Sequence, residues 1–310
     1  MVRKTVSLWG ALALFASLVP TLAVAAPTSS EARSRNQWRL EILLTRARLQ
    51  LDAGLVADAL QSCVTAQETG LWDTRLQSLL GEVYVRQEKW VNAAVALRRA
   101  TGSRRDKQLL AEAATELGWE RREAGAVDDA VRLWKEAVEA DSSSAWAHSS
   151  LGLGYLAKRS QKLAETQCRL ATELAPDWSG AWGNLGLALY VSGNPAAAET
   201  ALLKALQLAP NDPVALNNLA FTQLEEGNAA DALAIWEKLA GEGVATADQL
   251  AGLAIGYLAV GQREKAIATF RQATALNSSY LKPDVLASRH YWSAKAITAA
   301  CELLVAMQGQ

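Results

Sequence analysis

Apolar residues recur along most of the chain at helical spacing, in blocks separated by short breaks rich in Gly, Asn and Pro. Residues 179–212, SGAWGNLGLALYVSGNPAAAETALLKALQLAPND, show the pattern most fully. Trp182, Leu185 and Leu189 share one helical face by i, i+3, i+7 spacing. Gly186 and Ala198 carry little or no side chain, so two helices can approach closely there. Gly193-Asn194-Pro195 breaks the chain between them, with Pro suited to the first turn of the second helix, and Pro210 stops that helix. The stretch predicts a helical hairpin. One hairpin cannot bury its own apolar stripe, so copies must stack.

Such copies are present. Residues 111–144, 145–178, 179–212, 213–246 and 247–280 keep a 34-residue period. Residues 40–73 form a degenerate first unit, holding Gly54, Ala59, Cys63 and Ala66 at positions 15, 20, 24 and 27, with a face turned polar at Arg46 as a terminal cap requires. Residues 74–110 are clear but three residues too long, and the excess predicts a basic loop around residues 102–106. The recurring Leu at 7, Gly or Ala at 8, Gly at 15, Ala at 20, large apolar residue at 24 and Ala at 27, with Trp182 at 4 and Pro210 at 32, resembles the tetratricopeptide repeat. The resemblance covers residues 40–280. It implies an all-α, right-handed solenoid of about seven helix-turn-helix units that binds polypeptides in a concave groove.

Both ends differ. Arg3 and Lys4, the apolar run 8–19 and Ala23-Val24-Ala25 predict a signal peptide over residues 1–25 and a periplasmic protein; an uncleaved inner-membrane anchor facing the periplasm is the alternative. Residues 26–39 are polar and aperiodic and read as a flexible leader. Residues 281–310 predict a capping helix, unbroken over 284–307 or else two helices with an unmarked turn near Ser293.

By the family's geometry, positions 2, 5, 9 and 12 of each first helix line the groove. Here they bring Trp119, Trp146, Leu153, Leu156, Gly183, Leu187, Tyr190, Asn217, Phe221, Leu224, Ile255 and Leu258 together in one mainly apolar stripe. Such a stripe suits an amphipathic or extended apolar partner segment. Two other readings stand beside it: superhelical curvature buries these residues as core, or the chain's own leader or C-terminal helix fills the groove. Replacing Leu187 and Phe221 with Glu is expected to abolish capture and leave helix content intact. The carboxylate clamp that some members of the family use is absent, since Leu44, Arg48, Ser78, Glu82, Thr115 and Trp119 hold its positions.

Composition narrows the chemistry. Net charge is −1 with no basic or acidic tail, and the composition shows no phosphate-neutralising patch, which argues against nucleic acid as the main partner. No Ser-His-Asp, Cys-His, HExxH or Walker pattern occurs. His148 and Cys168 could be neighbours, but two ligands are too few for a closed zinc site. Neither an enzyme nor a cofactor is expected. The basic cluster Arg98, Arg99, Arg104, Arg105 and Lys107 is open to an anionic lipid or acidic partner, or is a solvated loop. The resemblance implies a protein-binding scaffold supporting an envelope complex, such as pilus, secretin, gliding or secretion machinery. An accessory module of a peptidoglycan or polysaccharide enzyme, and a self-assembling homo-oligomer, are the competing classes.

Overall fold

The computed structural model describes residues 29–100, 102–241, 245–282 and 292–308. The signal-peptide expectation lies outside them, as does the register through Pro283, Ala287, Ser288 and Tyr291. Among the described residues all regular structure is helical, and no helix is long and apolar enough to cross a membrane. Packing divides the chain into residues 1–76 and 77–310.

The first unit is a hairpin of α1 (Ser29–Asp52) and α2 (Val56–Gln67). Leu40, Leu43, Leu44, Ala47 and Leu51 of α1 are buried, as are Ala59, Cys63 and Ala66 of α2. The expected flexible leader is corrected here, because α1 begins at Ser29. Residues 29–39 lack an apolar stripe, yet most are acceptable helix formers that extend a helix nucleated at Leu40–Leu51. Asn36 Nδ2 donates to the Thr69 carbonyl (3.2 Å), tying this extension to the end of the hairpin. The exposed side of α1 is also less polar than a cap requires, since Trp38, Ile42 and Leu49 are exposed on it.

The second unit opens within α3 (Thr74–Arg86) and continues through α4 (Trp90–Leu97), α5 (Arg104–Glu123), α6 (Val127–Ala140), α7 (Ala145–Ala157), α8 (Gln161–Leu174), α9 (Ser179–Val191), α10 (Pro195–Leu208), α11 (Pro213–Glu226), α12 (Ala229–Gly241), α13 (Ala247–Ala259) and α14 (Arg263–Leu276). From α4 to α14 each helix packs on its neighbours in sequence, and the odd-numbered helices α5 to α13 also pack on one another in succession. Most of the predicted basic loop is helical. Ser103 caps α5 in a capping box with Asp106, so the surplus residues lengthen that helix at its start.

Side-chain volume explains the pairing. An added Cβ would lie 2.2 Å from Trp134 at Gly118, 2.5 Å from Cys168 at Gly152, and 2.5 Å from Leu202 at Gly186. Each position-8 glycine therefore receives the position-24 side chain of its own hairpin. Trp134 and Trp236 reach further and also fill the space in front of Gly154 and Gly252 on the next hairpin. Both indoles are fully buried, and both N–H groups are satisfied, by the Thr115 carbonyl (3.1 Å) and by Asn217 Oδ1 (2.9 Å).

After α14 a 3-10 turn, Ser278–Leu281, buries Tyr280 with its ring perpendicular to that of Phe270. Trp292 and Ser293 are not helical, and α15 (Ala294–Gln308) follows. An unbroken helix over 284–307 is thus corrected at 292–293, where the described residues fit the alternative of a turn near Ser293. Ser293 caps α15, its hydroxyl accepting from the Ala296 N–H (3.2 Å).

Candidate partner-binding face

The face under test is built from α5, α7, α9, α11 and α13. Their sequences are apolar on more than one side, because each helix packs on its hairpin partner and on the equivalent helix of the next hairpin. Polar side chains link these helices. Trp119 Nε1 donates to Ser150 Oγ (3.1 Å), and Asn184 Nδ2 donates to Ser149 Oγ (2.8 Å).

The structure separates the twelve predicted residues into three groups. Leu153, Leu156 and Ile255 are buried core, and Asn217 is bound to the Trp236 indole. For these four, inter-helix packing has claimed the side chain, and the groove expectation is corrected. Tyr190, Phe221 and Leu224 are also buried, but here the chain's own C-terminal segment covers them. The Trp292 ring centroid lies 5.6 Å from Phe221 and 5.6 Å from Tyr280. The Ser293 N–H donates to Tyr190 Oη (3.3 Å), its hydroxyl donates to the Glu225 carboxylate, and Lys295 Nζ donates to the Leu224 carbonyl (2.5 Å). Burial pushes the Tyr190 hydroxyl up to about 12.

Trp119, Trp146, Gly183, Leu187 and Leu258 form the third group. The four side chains are partly exposed. Trp119 stands edge-on to Trp134 at 5.4 Å with the Arg122 guanidinium 5.0 Å above its ring, so its position is fixed by protein contacts. Gly183 has a buried backbone, yet an added Cβ would meet no heavy atom within 4 Å. That open space on α9, one turn before Leu187, is termed the Gly183 recess.

The other candidates carry no comparable geometry. His148 Nδ1 faces Gln167 Oε1 (2.7 Å) and Nε2 faces the Ser142 carbonyl (3.1 Å), so its ring serves local packing rather than Cys168. Burial pushes the Cys168 thiol up to about 12 and that of Cys63 up to about 11, which keeps both as unreactive thiols. Two arginines of the basic cluster are paired, Arg98 with Glu136 (2.6 Å) and Arg105 with the buried Glu82 (2.8 Å).

Sequence reasoning missed Trp292, Ser293, Lys295 and Glu225. One signal was available: Lys295 lies in the first turn of its helix, where the helix dipole disfavours a cation, so a tertiary acceptor was to be expected.

Comparison with known proteins agrees with this architecture. Tetratricopeptide-repeat family models match residues 179–212 and residues 201–234, the second beginning within α10. No curated protein matches the chain. Among solved structures, the chain is similar to a tetratricopeptide repeat protein from Parabacteroides merdae, at 18% identity and TM-score 0.50 over 86% of this chain and 99% of that one. A thermophilic protein of the same kind from Thermus thermophilus aligns at 20% identity and TM-score 0.50, over 61% of this chain and 99% of the other. The Cut9–Hcn1 hetero-tetramer of the APC/C aligns at 16% identity and TM-score 0.55, over 81% of this chain and 52% of its own. The matched models identify tetratricopeptide repeats within residues 179–234; the same hairpins recur on either side of them in the second unit, and the glycine-to-position-24 packing recurs before them at Gly118 and Gly152.

Proposed function

We propose that the protein is a non-catalytic scaffold that holds a partner polypeptide on the face formed by α5 to α13. The observation that carries this reading is the recess at Gly183, bordered on α9 by the partly exposed Leu187. A packed interior leaves few voids larger than a water molecule, and a recess on a face of apolar side chains suits an inserted partner side chain. The test is to fill it. Gly183→Trp is expected to abolish partner recovery by affinity capture and mass spectrometry, while Gly183→Ala keeps it. Equal recovery by both variants would remove the recess from the account. Phe221→Glu is not a companion test, because Trp292 covers Phe221 and the charge would be buried beneath it.

The signal-peptide pattern of residues 1–25 supports export and an envelope setting for the partner. Sequencing the N-terminus of protein recovered from cells tests this; a chain retained from Met1 contradicts a cleaved signal. Self-association is a second reading, favoured by exposed Trp38, Ile42 and Leu49 on one side of α1. Light scattering of the wild type beside Trp38→Ser/Ile42→Ser decides it, a monomeric wild type being the contrary result.

A further inference from the structure

The segment that covers Tyr190, Phe221 and Leu224 differs from every other packing element of the second unit. The helices α5 to α14 touch their sequence neighbours, and the odd-numbered ones also touch the equivalent helix of the adjacent hairpin. Ser293 instead reaches back 103 residues to Tyr190 and 68 to Glu225, and Lys295 reaches back 71 to Leu224. Stacked hairpins draw their stability from nearest-neighbour interfaces, so this long-range contact is not needed to hold α9 to α11 together. Closing so long a loop also costs entropy that local hairpins avoid.

The contacts follow a recognition pattern. The indole of Trp292 sits directly before the helix cap and packs on Phe221 and Tyr280. Ser293 serves both sides, capping its own helix through the Ala296 N–H and donating its hydroxyl to Glu225. Lys295 spends its charge on a carbonyl in the last turn of α11, where the helix dipole is negative. Its place in the first turn of α15 is unfavourable for that helix alone, which marks it as chosen for the surface it meets.

We propose that Trp292–Lys295 is a tethered ligand occupying the C-terminal part of the binding face, and that a partner for this part presents the same three features: an aromatic residue, a hydroxyl helix cap and a cation at the second helical position. The inference rests on the face being a polypeptide-binding surface, but its test needs no outside partner. The probe is a fluorescein-labelled synthetic peptide with this chain's sequence 292–308, followed by anisotropy against the full-length protein. The wild type binds it weakly, because the site is filled. Trp292→Ala in the full chain weakens the resident segment and tightens uptake by roughly tenfold or more, in line with the rise in the competent fraction. A probe with Ala in place of its Trp does not bind either protein. Lys295→Glu retains all the apolar packing and tightens uptake in the same direction, so it decides the matter if Trp292→Ala unfolds. Variants with wild-type circular dichroism that bind the probe no better than wild type overturn the proposal. That result would leave the Gly183 recess, and the scaffold reading with it, untouched.

Discussion

Position 15 of each hairpin is a left-handed residue. Gly54, Gly125, Gly193, Gly227 and Gly261 hold it with φ between +77° and +92°, while Glu88 and Arg159 hold it at +55° and +57°. An L side chain in this region costs about 1–2 kcal/mol, partly offset by glycine's greater freedom when unfolded. Arg159→Gly is therefore expected to stabilise by roughly 0.5–1 kcal/mol in denaturant unfolding. Two glycines of one helix should respond oppositely. Gly186→Ala would drive a methyl group to within 2.5 Å of Leu202 and is expected to destabilise by about 1–3 kcal/mol. Gly183→Ala meets nothing and gains helix propensity, for a stabilisation of up to about 1 kcal/mol. The sequence makes Gly186 legible, since it recurs at position 8 opposite a large residue. It does not distinguish Gly183 from any other small residue, because an unfilled space leaves no sequence signature.

At the scale of the helix, periodicity reports which side chains are buried but not by what. The hairpins could be read from the recurring Leu, Gly and Ala positions because each hairpin obeys the same local steric rule. The start of α1 could not, since a polar helix held by a tertiary bond from Asn36 has no periodicity to detect. Asn217 shows the same limit. Its groove position is real, but its carbonyl is taken by the Trp236 indole. Asn217→Ala is expected to cost about 1–3 kcal/mol by leaving that N–H buried and unpaired. Partner capture should be unchanged; a loss of capture at unchanged stability would return Asn217 to the binding face.

For the whole second unit, local stacking builds the hairpins and one long-range contact closes part of their face. That contact joins residues 103 apart, and no periodic signal links them. It also carries a pH signature. Tyr190 ionises at about 12 in the folded chain against an ordinary value of 10, because burial disfavours its anion. The unfolded chain thus loses this proton first. The contribution is fully present below pH 10 and is lost as pH rises through 12, a change of up to roughly 2–3 kcal/mol. Urea midpoints measured from pH 9 to 12 should fall more steeply for wild type than for Tyr190→Phe; parallel curves would show that Tyr190 carries no such linkage.

The central claim is that a polypeptide partner lies against the face containing Gly183. A compact diazirine amino acid is placed at position 183, where an added Cβ meets no heavy atom within 4 Å, and Leu203 of α10, exposed on the second helix of the same hairpin, supplies the control. Photocrosslinking in intact cells should give a discrete polypeptide adduct from position 183 and none from position 203. An adduct from position 203 alone, or none from position 183, would contradict the account.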